Sequence, residues 1–117
     1  AYCPYSRFAV GAAVSTMGGR VFSGCNVENC SSGLTLCAER CAIAAAVAAG
    51  CQELTAIVIY TPTPQPTAPC GACRQFIHEF GRDIPVRCFC DGEGLIAARL
   101  SELLPQAFGP DALASGA

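Results

Sequence analysis

The run Leu54 to Tyr60, LTAIVIY, constrains the fold more than any other stretch of the chain. It is nearly all apolar, rich in β-branched residues and of strand length. With no polar alternation, it is predicted to be a central strand buried on both faces. A helical pattern stands on each side of it. Cys37 to Ala49 has near-ideal helix propensity and is stopped by Gly50, and Cys70 to Phe80 reads as a second helix ending at Gly81. Strands joined through helices predict an α/β protein with parallel pairing in the middle of one sheet.

The remaining segments complete the order. Arg7 to Ser15 alternates, Gly18-Gly19 makes a tight turn, and Val21 to Glu28 resumes as a strand, giving a hairpin. Asn29 to Thr35 is polar and glycine-bearing, hence a loop, and TPTPQPTAP (61–69) continues neither neighbouring element. Pro85 to Cys90 and Leu95 to Leu100 read as strands. Ser101 is expected to cap a short turn through Leu104 that Pro105 ends. Only four residues, Asp91 to Gly94, join the last two strands, too few for a parallel crossover, so that pair is antiparallel. The expected architecture is a three-layer αβα sandwich on a mixed five-stranded sheet, order ββαβαββ. Residues 1–117 form one domain without repeat or linker.

Apolar residues make up 52% of the chain and charged residues 14%, which excludes intrinsic disorder. So little charge predicts that another subunit covers part of the surface. The cations are seven scattered arginines (Arg7, Arg20, Arg40, Arg74, Arg82, Arg87, Arg99), with no stripe to suit nucleic acid or a membrane. The longest strongly apolar run, Ala42 to Ala49, is too short to span a bilayer, and no leader is visible. Ten cysteines would suit a disulfide scaffold in a small secreted protein. Several of them sit inside apolar periodic segments, so a thiol-rich cytoplasmic protein is expected instead, with most thiols serving as small buried hydrophobes.

Two patterns carry chemistry: Cys37-Ala38-Glu39-Arg40 opening the first helix, and Pro69-Cys70-Gly71-Ala72-Cys73 opening the second. Both place thiols at helix N-termini, where free N–H groups and the helix dipole favour thiolate. Two helices starting at the same sheet edge would bring Cys37, Cys70 and Cys73 together around Zn²⁺ with one coordination position open, the arrangement of catalytic zinc. Glu39 in the first turn can then shuttle protons, and Arg40 can donate to thiolate sulfur or simply be solvated. The competing reading is structural. Cys41 lies four residues after Cys37, so Cys37, Cys41, Cys70 and Cys73 could close a four-thiolate site. Asn26 and Glu28, two apart on a strand, share a face and would make a paired polar site or an ordinary solvent face.

Together with CPYSRFAVGAA, FSGCNVEN and LLPQAFGP, these motifs make the chain resemble the small, homotetrameric cytidine deaminases whose zinc ligands are all cysteines. The resemblance runs from about Ala1 to Leu113. It implies one Zn²⁺ per chain on Cys37, Cys70 and Cys73, with Glu39 as proton shuttle. It implies that Asn26 and Glu28 bind the sugar hydroxyls, that Phe8 packs on the pyrimidine, and that Phe108 completes a neighbouring subunit's pocket. The implied reaction is hydrolytic deamination of cytidine and deoxycytidine in cytoplasmic pyrimidine salvage. A modified cytosine nucleoside, such as a nucleoside antibiotic, is the alternative substrate. Nucleic acid and membrane are not expected partners. Three features depart from the family: Cys41 where Thr is usual, Ser32 where an aromatic is common, and no helix ahead of the first strand.

Overall fold

The computed structural model describes residues 1–115. Strands β1 (Gly11–Thr16) and β2 (Val21–Cys25) form the hairpin, closed by Gly19 at φ 82°, a value natural to glycine. A 3-10 turn (Ser32–Leu34), helix α1 (Ala38–Ala48), β3 (Leu54–Tyr60), α2 (Gly71–Phe80), β4 (Pro85–Phe89), β5 (Ile96–Arg99), α3 (Leu100–Leu103) and α4 (Pro110–Ser115) follow. The sheet runs β2-β1-β3-β4-β5. β3 and β4 pair in parallel, and every other neighbouring pair is antiparallel, including the closing β4–β5 hairpin.

Helices α1 and α2 pack side by side on one face of the sheet. Val14, Ile57, Ile59 and Val86 from the strands are buried there against Ala42, Ile43, Ala46 and Ile77. Fully burying each Ile or Val is worth about 1.5–3 kcal/mol. Small residues set how closely the layers approach. A Cβ built on Gly24 of β2 would stand 2.5 Å from the Ala42 nitrogen and 2.7 Å from the Ala38 carbonyl oxygen, so α1 rests directly on the β2 backbone. Gly50, at φ 90°, ends α1: its N–H reaches the Val47 carbonyl while the Cys51 N–H reaches that of Ala46.

The α/β class and the mixed five-stranded sheet are as expected. The burial of β3 on both faces is not. Leu54, Ile57 and Ile59 are buried, but Thr55, Val58 and Tyr60 on the other face are exposed, as is Phe89 beside them. Among the described residues only one of the sandwich's two helical layers is present, and an apolar second face does not itself say what covers it. Both strands of the first hairpin are shorter than expected. Arg7 takes φ 56° and closes a turn instead of starting the strand, its N–H returning to the Cys3 carbonyl. β2 ends at Cys25: the Asn26 N–H still donates to the Val10 carbonyl across 3.2 Å, but its side chain takes the Val10 N–H and the Phe8 carbonyl in place of further ladder bonds. Arg99, not Ser101, is the N-cap of α3; its N–H donates to Glu102 Oε1 across 2.8 Å, while the Ser101 N–H donates to Asp83. Helix α4 was not expected, although Pro110 and Asp111 are typical first-turn residues.

Candidate functional site

Cys37 and Cys70 are the N-cap residues of α1 and α2, both in extended conformation, and Cys73 lies in the first turn of α2. The two helices start at the same edge of the sheet, so their N-termini converge beyond the carboxyl end of β3. The sulfurs of Cys37, Cys70 and Cys73 lie within 4.8 Å of one another. Three thiolates on one tetrahedral ion, each about 2.3 Å from it, would stand roughly 3.8 Å apart. The three thiols therefore fit Zn²⁺ in both donor type and spacing. Cys41 is outside this group. Since Cys37 is an extended cap and not a helical residue, the four-residue spacing does not put the two thiols on one face. Cys41 lies instead against Gly24 of β2.

The electrostatics follow from the caps. Burial raises the Cys70 thiol, but the N–H groups of Cys73 and Ala72 and the thiols of Cys73 and Cys37 outweigh it and bring the pKa below the ordinary value. Cys73 is pushed strongly upward, first by burial, then by the nearby Glu39 carboxylate and the other thiols. The pair on α2 is thus split, one thiol lowered and one raised, and a divalent ion would favour the thiolate form of both. Arg40 is the neighbouring cation. Its Nη2 donates to Cys37 Sγ across 3.5 Å and to the Thr35 carbonyl across 3.1 Å. The bond to Cys37 raises its pKa above the ordinary value. Burial pushes the Cys41 thiol up, and the Cys88 thiol to about 11, as for inert core thiols.

A cavity of about 280 Å³ opens above the thiols. Cys37, Cys70 and the buried Glu39 form its floor, and Phe8, Asn26 and Glu28 lie along its wall. The structure thus brings six of the sequence-predicted residues into one cavity. Cys73 is buried near its floor and Arg40 lies beside Cys37. Phe108 does not join them. It is 60% exposed, and its carbonyl accepts from Gln75 Nε2. A larger open hollow, about 410 Å³, lies at the opposite end of the strands between Thr16–Gly18 and Gly50–Glu53, without a converging set of reactive groups.

Two wall residues are held differently from a plain strand face. The Asn26 side chain is committed at both ends: Oδ1 accepts the Val10 N–H at 2.9 Å and Nδ2 donates to the Phe8 carbonyl at 2.8 Å. One amide N–H and one lone pair are left for a ligand. Glu28 accepts the N–H groups of Tyr5 and Ser6 at 2.9 and 3.1 Å and the Ser6 hydroxyl, and its pKa is lowered, chiefly by that hydroxyl. Sequence reasoning missed several lining residues: Ser6, Val10, Thr35, Leu36, Ile59, Thr61, Thr67 and Ala68. Thr61 had a readable signal, a polar residue directly after the carboxyl end of the central strand. It is buried, its hydroxyl bonded to that of Thr63.

The sequence model of the cytidine and deoxycytidylate deaminase zinc-binding region matches residues 1–88, which include the three thiols, Glu39 and the cavity wall. A cytidine deaminase of Mycobacterium tuberculosis is 47% identical over 118 residues, covering 97% of this chain and 82% of that protein. One from Sporosarcina psychrophila is 40% identical, covering 100% and 87%. The crystal structure of a Burkholderia pseudomallei cytidine deaminase superposes with a TM-score of 0.87 at 46% identity, covering 92% of this chain and 87% of that one.

Proposed function

The chain belongs to the cytidine and deoxycytidylate deaminase family, and we propose that its cavity deaminates free cytidine and deoxycytidine to uridine and deoxyuridine. One observation carries the assignment of roles: three thiols converge at the floor of the cavity that also holds a buried carboxylate and a second carboxylate on its wall. Cys37, Cys70 and Cys73 would hold the zinc, which, when bound, would supply Lewis-acid activation of water. Glu39 takes the two protons of the attacking water. It passes one to N3 of the ring and one to the amino group as the C4–O bond forms and the C4–N bond breaks. Ammonia leaves, and the balance is cytidine plus water to uridine plus ammonia. Arg40 offsets the charge of three thiolates on a divalent ion.

Phe8 lies against the pyrimidine, while Glu28 and the free N–H of Asn26 engage the sugar hydroxyls. A nucleoside without phosphate suits a cavity lined by no cation. The chain works as one domain in a homotetramer, in which Phe108 reaches a neighbour's cavity. The exposure of Tyr2, Tyr5, Leu34, Leu36 and Phe108 supports such cover. Ten free thiols support a reducing, cytoplasmic setting and a role in pyrimidine salvage. Among the described residues no helix is long and apolar enough to cross a membrane.

The test is the fall in cytidine absorbance with zinc content measured on the same sample, for the protein and for Glu39→Gln. The protein should deaminate cytidine. The variant should keep its zinc and fold but lose about 10²–10⁴ in kcat, the usual worth of general acid–base catalysis. Near-normal turnover by zinc-loaded Glu39→Gln would refute the role given to Glu39.

A further inference from the structure

We propose that Ser6 is a positioning residue for sugar recognition: its hydroxyl aims the Glu28 carboxylate at the sugar hydroxyls and ties it to the segment that carries Phe8. The inference deepens the reading above and rests on Glu28 being the sugar contact. Residues Cys3 to Arg7 close a single turn, with the Arg7 N–H on the Cys3 carbonyl across 3.0 Å. The turn leaves the consecutive N–H groups of Tyr5 and Ser6 directed at one point, the kind of backbone concavity that holds an anion. Glu28 Oε1 occupies it, accepting both.

Oε2 is held by the Ser6 hydroxyl alone, and the direction of that bond is determined. Ser6 Oγ accepts the Phe8 N–H across 3.0 Å. With that lone pair taken and a single proton to give, the hydroxyl donates to Oε2. Arg7, at φ 56°, is the residue whose left-handed backbone folds Phe8 back to this oxygen. Glu28 is therefore not a freely rotating surface carboxylate. Its two oxygens are fixed by three donors from one turn, and their remaining lone pairs are available to a diol. Fixing the rotamer beforehand removes the ordering cost from substrate binding. The same hydroxyl is also the largest cause of the downward shift in the Glu28 pKa. Phe8 gives its N–H to Ser6 but keeps a second anchor, because Asn26 Nδ2 holds its carbonyl independently. Loss of Ser6 should therefore be felt at the sugar and not at the base.

The experiment compares initial rates on cytidine and on 2′,3′-dideoxycytidine, which lacks both sugar hydroxyls, for the protein, Ser6→Ala and Ser6→Thr. Ser6 is exposed, so neither substitution opens a core cavity. In Ser6→Ala, KM for cytidine should rise about 10-fold, near the lower end for a hydrogen bond to a charged group. Its kcat should stay within about twofold, and dideoxycytidine should be unaffected. Ser6→Thr, which keeps the hydroxyl, should behave as the unaltered protein does. If Ser6→Ala retains the full preference for cytidine, or loses both substrates equally, the proposal is overturned. If the unaltered protein itself shows no preference for cytidine over the dideoxy compound, the failure lies one step earlier, in the assignment of Glu28 to the sugar.

Discussion

Arg40 Nη2 lies 3.5 Å from Cys37 Sγ, and the same nitrogen donates to the Thr35 carbonyl two residues ahead of that cysteine. One guanidinium thus fixes both the thiol and the chain that delivers it to the end of α1. Arg40 Nε is buried without a partner, so the guanidinium is held through Nη2. Arg40→Ala should weaken zinc binding by about 10- to 100-fold, the usual worth of a group that orients a metal ligand. Competition with a chelator at fixed pH would measure it. Unchanged zinc affinity would show that the charge of three thiolates needs no neighbouring cation.

Gly24 sets the distance between sheet and helix. A methyl there would meet the Ala42 nitrogen, the Ala38 carbonyl oxygen and Cys41 Cβ, all at 2.5–2.9 Å, and the first two are backbone atoms that cannot swing aside. Gly24→Ala should cost roughly 1–3 kcal/mol, as overpacking does. It should also loosen zinc, because α1 carries Cys37 at its start. Denaturant unfolding gives the first effect as a lower midpoint with unchanged slope. A midpoint equal to that of the unaltered protein would mean α1 does not rest on β2 at this point.

Glu28 should determine the size of the substrate. Its carboxyl, held below its ordinary value of 4.5, stays charged at every pH above that value. A phosphate attached to a sugar hydroxyl held by Glu28 would meet that like charge at close range, and no lining residue supplies a counter-charge. Free cytidine should therefore be deaminated, and cytosine within a single-stranded oligonucleotide refused. Glu28→Ala should lose about 10- to 150-fold in kcat/KM on the nucleoside, for a hydrogen bond to a charged group. Oligonucleotide deamination at a rate comparable to that of cytidine, at equal cytosine concentration, would contradict this account of Glu28.

Much of this was legible from the chain alone, for identifiable reasons. The convergence of Cys37, Cys70 and Cys73 followed from local rules, because thiols at helix starts on a shared sheet edge need no tertiary detail to be placed. The short Asp91 to Gly94 connection fixed the last strand pair for the same reason. Periodicity failed where side chains bind backbone. Asn26 reads as an outward strand residue, yet its side-chain amide takes the Val10 N–H and the Phe8 carbonyl while its own N–H stays on the Val10 carbonyl. Arg7 reads as extended, yet it is left-handed and turns the Phe8 N–H back onto Ser6 Oγ. The spacing of Cys41 from Cys37 suggested a fourth ligand because i to i+4 geometry was applied to a residue that lies outside the helix. The second face of β3 shows that apolar composition marks a surface to be covered without identifying its cover.

The most direct test of the account is X-ray absorption at the zinc edge on the folded protein, with zinc content counted per chain. One zinc per chain, bonded to three sulfurs at about 2.3 Å and one lighter atom, is the result expected of a catalytic site on Cys37, Cys70 and Cys73. Four sulfurs around the metal would place Cys41 among the ligands, leave no open position for water, and contradict the deaminase mechanism at its centre.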